Sequence, residues 1–191
     1  MSLFEFVLVM ASLIMALGVT LLLRHVATII RYRDSLESYW VALTWMALQF
    51  VAVVWVWWSL WDFAEVEWTF PRFFYLLAGP TVQFIAISML VSTDLSKPGA
   101  SLRDNFSAIR LPFMLVLAAF QVFVALDGWV FDVEPLWNSL RGLQVILLFL
   151  YLSAAISPKP IVQKSVVVAN VGLYIYGLFF LRYLPGAFGS S

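Results

Sequence analysis

Residues 39–61 read YWVALTWMALQFVAVVWVWWSLW, 23 residues with no charge and one amide, Gln49, near the middle. As a helix rising about 1.5 Å per residue the stretch covers roughly 34 Å, enough for a hydrocarbon core of about 30 Å. Inside such a core there is no water to satisfy backbone N–H and C=O groups, so an isolated apolar run of this length is expected to be helical. The stretch predicts a transmembrane helix, and the fold follows from counting its equivalents.

Five further apolar segments qualify, at residues 3–23, 71–91, 109–126, 136–156 and 161–181. The reading is an all-α integral membrane bundle of six helices, one domain over residues 1–191. Residues 3–23 count as a span because Glu5 stands where a signal peptide would carry Lys or Arg, and the run exceeds a typical signal h-region. Composition agrees: 63% of the 191 residues are hydrophobic and 12% charged, against about 25% charged in soluble domains. The formal net charge is zero, which gives no footprint for nucleic acid. With no Cys and one His, disulfides, thiolate metal sites and a bis-histidine haem within the chain are excluded. No metal or other cofactor is expected.

Lys and Arg set the orientation. Arg24, Arg31, Arg33, Lys97, Arg103, Arg110, Lys159 and Lys164 fall on one side, and Arg72, Arg141 and Arg182 on the other. The first side is expected to be cytoplasmic, with both termini outside. Seven acids then lie outside (Glu5, Asp62, Glu65, Glu67, Asp127, Asp132 and Glu134) and four inside (Asp34, Glu37, Asp94 and Asp104). Trp55, Trp57, Trp58, Trp61, Trp68, Trp129 and Trp137 gather near the acidic side, and Trp40 and Trp45 are expected at the basic interface. A cell membrane is implied, the inner membrane if the source is bacterial.

Near the middle of five spans stands one amide each, Gln49, Gln83, Gln121, Gln144 and Asn170, with Ser12 in the matching place of the first span. A carboxamide has two donors and two acceptor lone pairs, so these groups are expected to turn inward. Two readings follow: interhelical bonds that fix the bundle, or a neutral hydrogen-bonding belt along a pathway. Span one adds a stripe, Glu5, Ser12, Ala16, Thr20 and Arg24, expected to face protein, either as pathway lining or as a small-residue packing face.

Other polar features sit nearer the boundaries. Arg141 shares a helix face with Gln144 and Tyr151, and its expected partner is Glu5, Asp62 or Asp127, because an unpaired guanidinium is costly at that depth. Asp62, Glu65, Glu67 and Asp127, interleaved with tryptophan, form either a cation-attracting outer mouth with Glu5 and Arg141, or a solvated rim. Arg24 and His25 mark an inner mouth or an interfacial anchor. Gly79-Pro80 predicts a kink one turn before Gln83. Spans two and three also resemble spans four and five, since in each pair an aspartate ends the first helix and a proline, Pro71 or Pro135, opens the second.

No zinc-protease, nucleophile-elbow, phosphate-loop, potassium-filter or voltage-sensor pattern is present. The expected function is channel- or transporter-like passage of a small neutral or weakly cationic solute by an oligomer. The alternative is a non-transporting subunit or assembly partner of another membrane protein. A lipid- or quinone-directed enzyme ranks third.

Overall fold

A computed structural model describes residues 2–91, 95, 100–132 and 139–180, and among these the chain is helical with no strand. The expected features at Asp94, Lys97, Glu134, Pro135, Trp137 and Arg182 lie outside the described residues. Seven α-helices follow in order: α1 Leu3–Arg31, α2 Trp40–Ser59, α3 Phe70–Leu90, α4 Leu102–Ala125, the short α5 Asp127–Phe131, α6 Ser139–Ile156 and α7 Pro160–Phe180. A 3-10 turn, Leu60–Phe63, extends α2. Five helical segments are long and apolar enough to cross a bilayer, and α6 supplies a shorter sixth.

Local chemistry sets the boundaries. Ser2 caps α1 by accepting the Glu5 N–H at 3.1 Å, while the Glu5 carboxylate accepts the Ser2 N–H at 2.7 Å, a reciprocal box that satisfies two orphan donors. Past residue 23, α1 continues to Arg31, where the Tyr32 N–H closes on Thr28. α4 starts earlier than the apolar run indicates, because the Ser101 hydroxyl accepts the Asp104 N–H at 3.2 Å and nucleates the first turn. Pro71 and Pro160 occupy the first turns of α3 and α7, where a missing N–H costs nothing. α5 ends at Asp132, whose φ of 56° is the left-handed conformation that Asp tolerates better than most residues.

The long helices alternate in direction. The acids Glu5, Asp62, Glu65, Glu67, Asp127 and Asp132 therefore gather at one end with Arg72 and Arg141. Arg24, Arg31, Arg33, Arg103, Arg110, Lys159 and Lys164 gather at the other. α1, α3, α4 and α6 form a curved row in which each packs on the next; α7 flanks α6, and α2 lies against α1, α3, α4 and α7. Glycine permits three of these approaches. A Cβ on Gly18 of α1 would stand 3.1 Å from Ile87, one on Gly79 of α3 3.1 Å from Phe123, and one on Gly177 of α7 2.5 Å from Trp55.

α1 does not present its polar stripe inward. Its buried row is Val7, Ala11, Met15, Gly18, Leu22 and His25, while Glu5, Ala16, Thr20 and Arg24 are exposed on the isolated chain. The reason is local: Thr20 donates to the Ala16 carbonyl of its own helix at 2.7 Å and needs no partner elsewhere, whereas Gly18 gives the closest approach to α3. Trp45 is likewise not interfacial. It is fully buried, edge-on to Phe113 at 5.5 Å, because it sits one turn from Gln49 on the same inward face of α2.

Arginines hold the helix ends. Arg110 of α4 donates to the carbonyls of Ala154, Ala155 and Ser157 at 2.5, 2.7 and 3.4 Å, covering the C-terminus of α6. Gln163 of α7 donates to Ala154 and Ser157 at 2.9 and 2.8 Å. From the opposite end, Arg141 of α6 donates to the Val124 carbonyl in the last turn of α4 at 2.5 Å. Each helix of the pair thus caps the other. Arg110→Met leaves terminal carbonyls without their charged donor, so the variant is expected to lose about 1–3 kcal/mol of stability; Arg110→Lys keeps part of it. Thermal unfolding of the purified protein checks both, and equal midpoints for wild type and Arg110→Met reject the capping role.

Candidate functional site

The amides do not form one belt; they separate into three groups. Gln83 Nε2 donates to Gln49 Oε1 at 2.7 Å, joining α3 to α2, and both side chains are buried. Asn170 Nδ2 donates to the Tyr151 hydroxyl at 2.9 Å, joining α7 to α6, again with both side chains buried. Gln121 and Gln144 instead line a cavity of about 180 Å³ between α2, α3, α4, α6 and α7. Ser12 is apart from all of these and accepts from Trp57 Nε1 at 3.2 Å.

The cavity runs from Asp62, Asp127 and Gly128 at the acidic end to Ala52, Pro80 and Leu147 near mid-bundle. Its walls are mainly apolar, with Trp55, Phe63, Phe120, Phe123 and Phe131 among them. Phe63 and Phe131, from the 3-10 turn and α5, pack at 4.5 Å across its acidic end. Arg72 anchors that region by donating to the carbonyls of Val130 and Glu67 and to the Asp132 carboxylate, each at 3.1 Å. On the α3–α4 wall, Tyr75 stacks on Phe123 at 4.2 Å and donates its hydroxyl to the Phe123 carbonyl at 2.6 Å. Gly79 leaves room for the same ring.

Polar groups in the cavity are few and placed. Arg141, 7% exposed, donates to Gln144 Oε1 at 3.0 Å as well as to Val124. Asp62 and Asp127, two of its expected partners, line the same cavity; the third, Glu5, closes the α1 cap instead. Gln121 is buried, lines the cavity and makes no side-chain hydrogen bond to any described residue. Pro80 has no N–H, so the Leu76 carbonyl lacks its intrahelical donor, and both residues belong to the lining.

Below the floor the bundle closes. Gln49 and Gln83 each lie three residues beyond a floor residue, Ala52 or Pro80, a step of about 4.5 Å. Next come Trp45, Phe113, Ile87, Leu90 and Met114, all fully buried. Tyr151 and Asn170 also lie below the floor, four residues beyond Leu147 and Tyr174. Trp45 Nε1, Asn170 Oδ1, Gln163 Oε1 and His25 Nε2 find no partner among the described residues. His25 is buried against the bundle while the adjacent Arg24 is exposed, so the expected inner mouth is not a joint feature. Glu65 and Glu67 are outside the lining, as is the α1 stripe. Among the described residues no three His, Asp or Glu side chains converge to hold a metal ion.

Several site residues escape the sequence reading: Tyr75, Tyr174, Arg110 and Gln163. An arginine at the start of an apolar run and a glutamine one turn into a helix are visible signals, but nothing local tells that both reach the same helix end.

Removing one partner of a buried pair costs more than removing both. Gln49→Leu and Gln83→Leu are each expected to lose about 1–2 kcal/mol, and the double variant less than the sum of the singles. A double-mutant cycle on unfolding reads the coupling, and strict additivity rejects the Gln49–Gln83 bond. Searches of protein-family models, of curated proteins and of solved structures find no match to this chain.

Proposed function

We propose that this chain is a multi-pass membrane protein that takes a small neutral or weakly cationic solute into the cavity and carries it across by a transporter-like change of shape. The observation that carries the reading is a cavity of about 180 Å³ holding a buried Gln121 whose side chain bonds to none of the described residues. A dry apolar cavity of about 150 Å³ accommodates benzene, so the solute is of that order of size. A buried amide with no protein partner is costly, and a bound molecule relieves it.

Transport rather than open conduction follows from the closed half below the floor. Passage requires the Gln49–Gln83 bond to open and the Trp45–Phe113 contact to part. The acidic end faces outward by the distribution of Lys and Arg, with both termini outside, in the cell membrane or, in a bacterium, the inner membrane. Asp62 and Asp127 then give the entrance a negative field that favours cations and tolerates neutral solutes. A second reading, a non-transporting subunit of a larger membrane assembly, draws on the exposed Ala16, Thr20 and Arg24 of α1, a face suited to another helix.

The chain contains no cysteine, so single replacements report cleanly. In oriented vesicles Glu65→Cys, at an exposed loop position, is expected to react with a membrane-impermeant maleimide from the outside only; labelling from the inside alone reverses the orientation. Acetamide serves as a flux probe in proteoliposomes. Wild-type flux is expected to exceed that of protein-free vesicles, and Gln121→Leu/Gln144→Leu to lower it about fivefold or more. Flux equal to that of protein-free vesicles rejects carriage.

A further inference from the structure

Gln144 is not free to choose which end of its amide it shows to the cavity. Arg141 carries only donors, so the Gln144 atom 3.0 Å from its Nη1 is the carbonyl oxygen. Arg141 in turn is held by the Val124 carbonyl of α4, which fixes the guanidinium in place. Two N–H donors of Gln144 Nε2 therefore remain on a cavity-lining side chain, with no acceptor among the described residues. On the adjacent α4, Gln121 is buried and makes no side-chain hydrogen bond to any described residue, and its amide turns either way to complement what arrives. The deeper part of the site thus holds the fixed Gln144 donors beside the freed Leu76 carbonyl, whereas its carboxylates, Asp62 and Asp127, lie at the acidic end.

Resting on the reading of this cavity as a binding site, we infer that its ligand is an uncharged, carbonyl-bearing amphiphile of roughly one ring in size. Its acceptor oxygen meets Gln144 Nε2 and its apolar body lies against Phe120 and Phe123. A hydrocarbon of the same shape leaves the Gln144 donors unsatisfied. An ammonium head meets the Gln144 N–H donors rather than an acceptor and would stay at the carboxylates. Arg141 is thus a positioning residue: it acts through Gln144, setting the polarity of an otherwise ambivalent amide.

Three probes of similar size separate the possibilities: acetophenone, ethylbenzene and benzylammonium, with binding read by competition and calorimetry on the protein in lipid nanodiscs. Acetophenone is expected to bind about tenfold or more tighter than ethylbenzene. Gln144→Leu should erase that preference while keeping ethylbenzene affinity, which also shows that the variant is folded. Gln144→Glu, offering an acceptor in place of donors, should turn the preference towards benzylammonium. Equal binding of acetophenone and ethylbenzene by wild type overturns the acceptor specificity but leaves the cavity a binding site. Tightest binding of benzylammonium overturns it in favour of the carboxylates. Failure of all three to bind rejects the cavity as a site for ligands of this size, and the proposed function with it.

Discussion

Guanidinium groups on helix-terminal carbonyls are the interaction on which this bundle depends. In a medium without water the last carbonyls of a helix have no donor, and a short loop seldom supplies one. Here α4 and α6 supply donors to each other: Arg110 covers Ala154, Ala155 and Ser157, and Arg141 covers Val124. A cation at a helix C-terminus also meets the negative end of the helix dipole, so each contact satisfies a hydrogen bond and a field together. Arg72 does the same for the short α5 through Val130. Two neighbouring antiparallel helices, latched at both ends, then form a rigid wall for the cavity.

The same latch explains the division of the amides. Gln49 with Gln83, and Asn170 with Tyr151, satisfy one another where the bundle is tightly packed. Near Arg141 the guanidinium already takes the oxygen of Gln144, and Gln121 is left without a partner among the described residues. A polar group spared from bonding in one place is thus the consequence of a stronger bond beside it. The two hairpins that look alike in sequence meet here as well, with a short helical turn from each, Leu60–Phe63 and Asp127–Phe131, placing Phe63 against Phe131.

The six apolar runs were legible because hydrocarbon demands a simple thing of a sequence, about twenty residues without charge. Their ends were less so: α4 starts with Leu102 in a polar stretch, because Ser101 and Asp104 build its first turn, and α1 runs on to Arg31 past any hydrophobic signal. The inward turn of Gln49, Gln83, Gln121 and Asn170 followed from desolvation alone. Which amide meets which did not, because pairing depends on the order of helices around the bundle, and no single-chain pattern encodes that. The stripe on α1 misled for a related reason: spacing shows that Ser12, Ala16 and Thr20 share a face, but not whether that face or the one holding Gly18 packs on α3.

α6 is the shortest of the long helices and carries a buried arginine, Arg141, in its first turn. An arginine costs about 2.5–3.5 kcal/mol at the middle of an inserting helix, less near its end, and α6, with 18 residues, is the shortest span to offset it. The Val124 carbonyl of α4 is one of the groups that accept from this charge in the finished fold, and α4 leaves the ribosome first. The order of synthesis therefore matters to this chain. An α6 that enters lipid beside an α4 already in place is expected to insert at lower cost than one that enters alone.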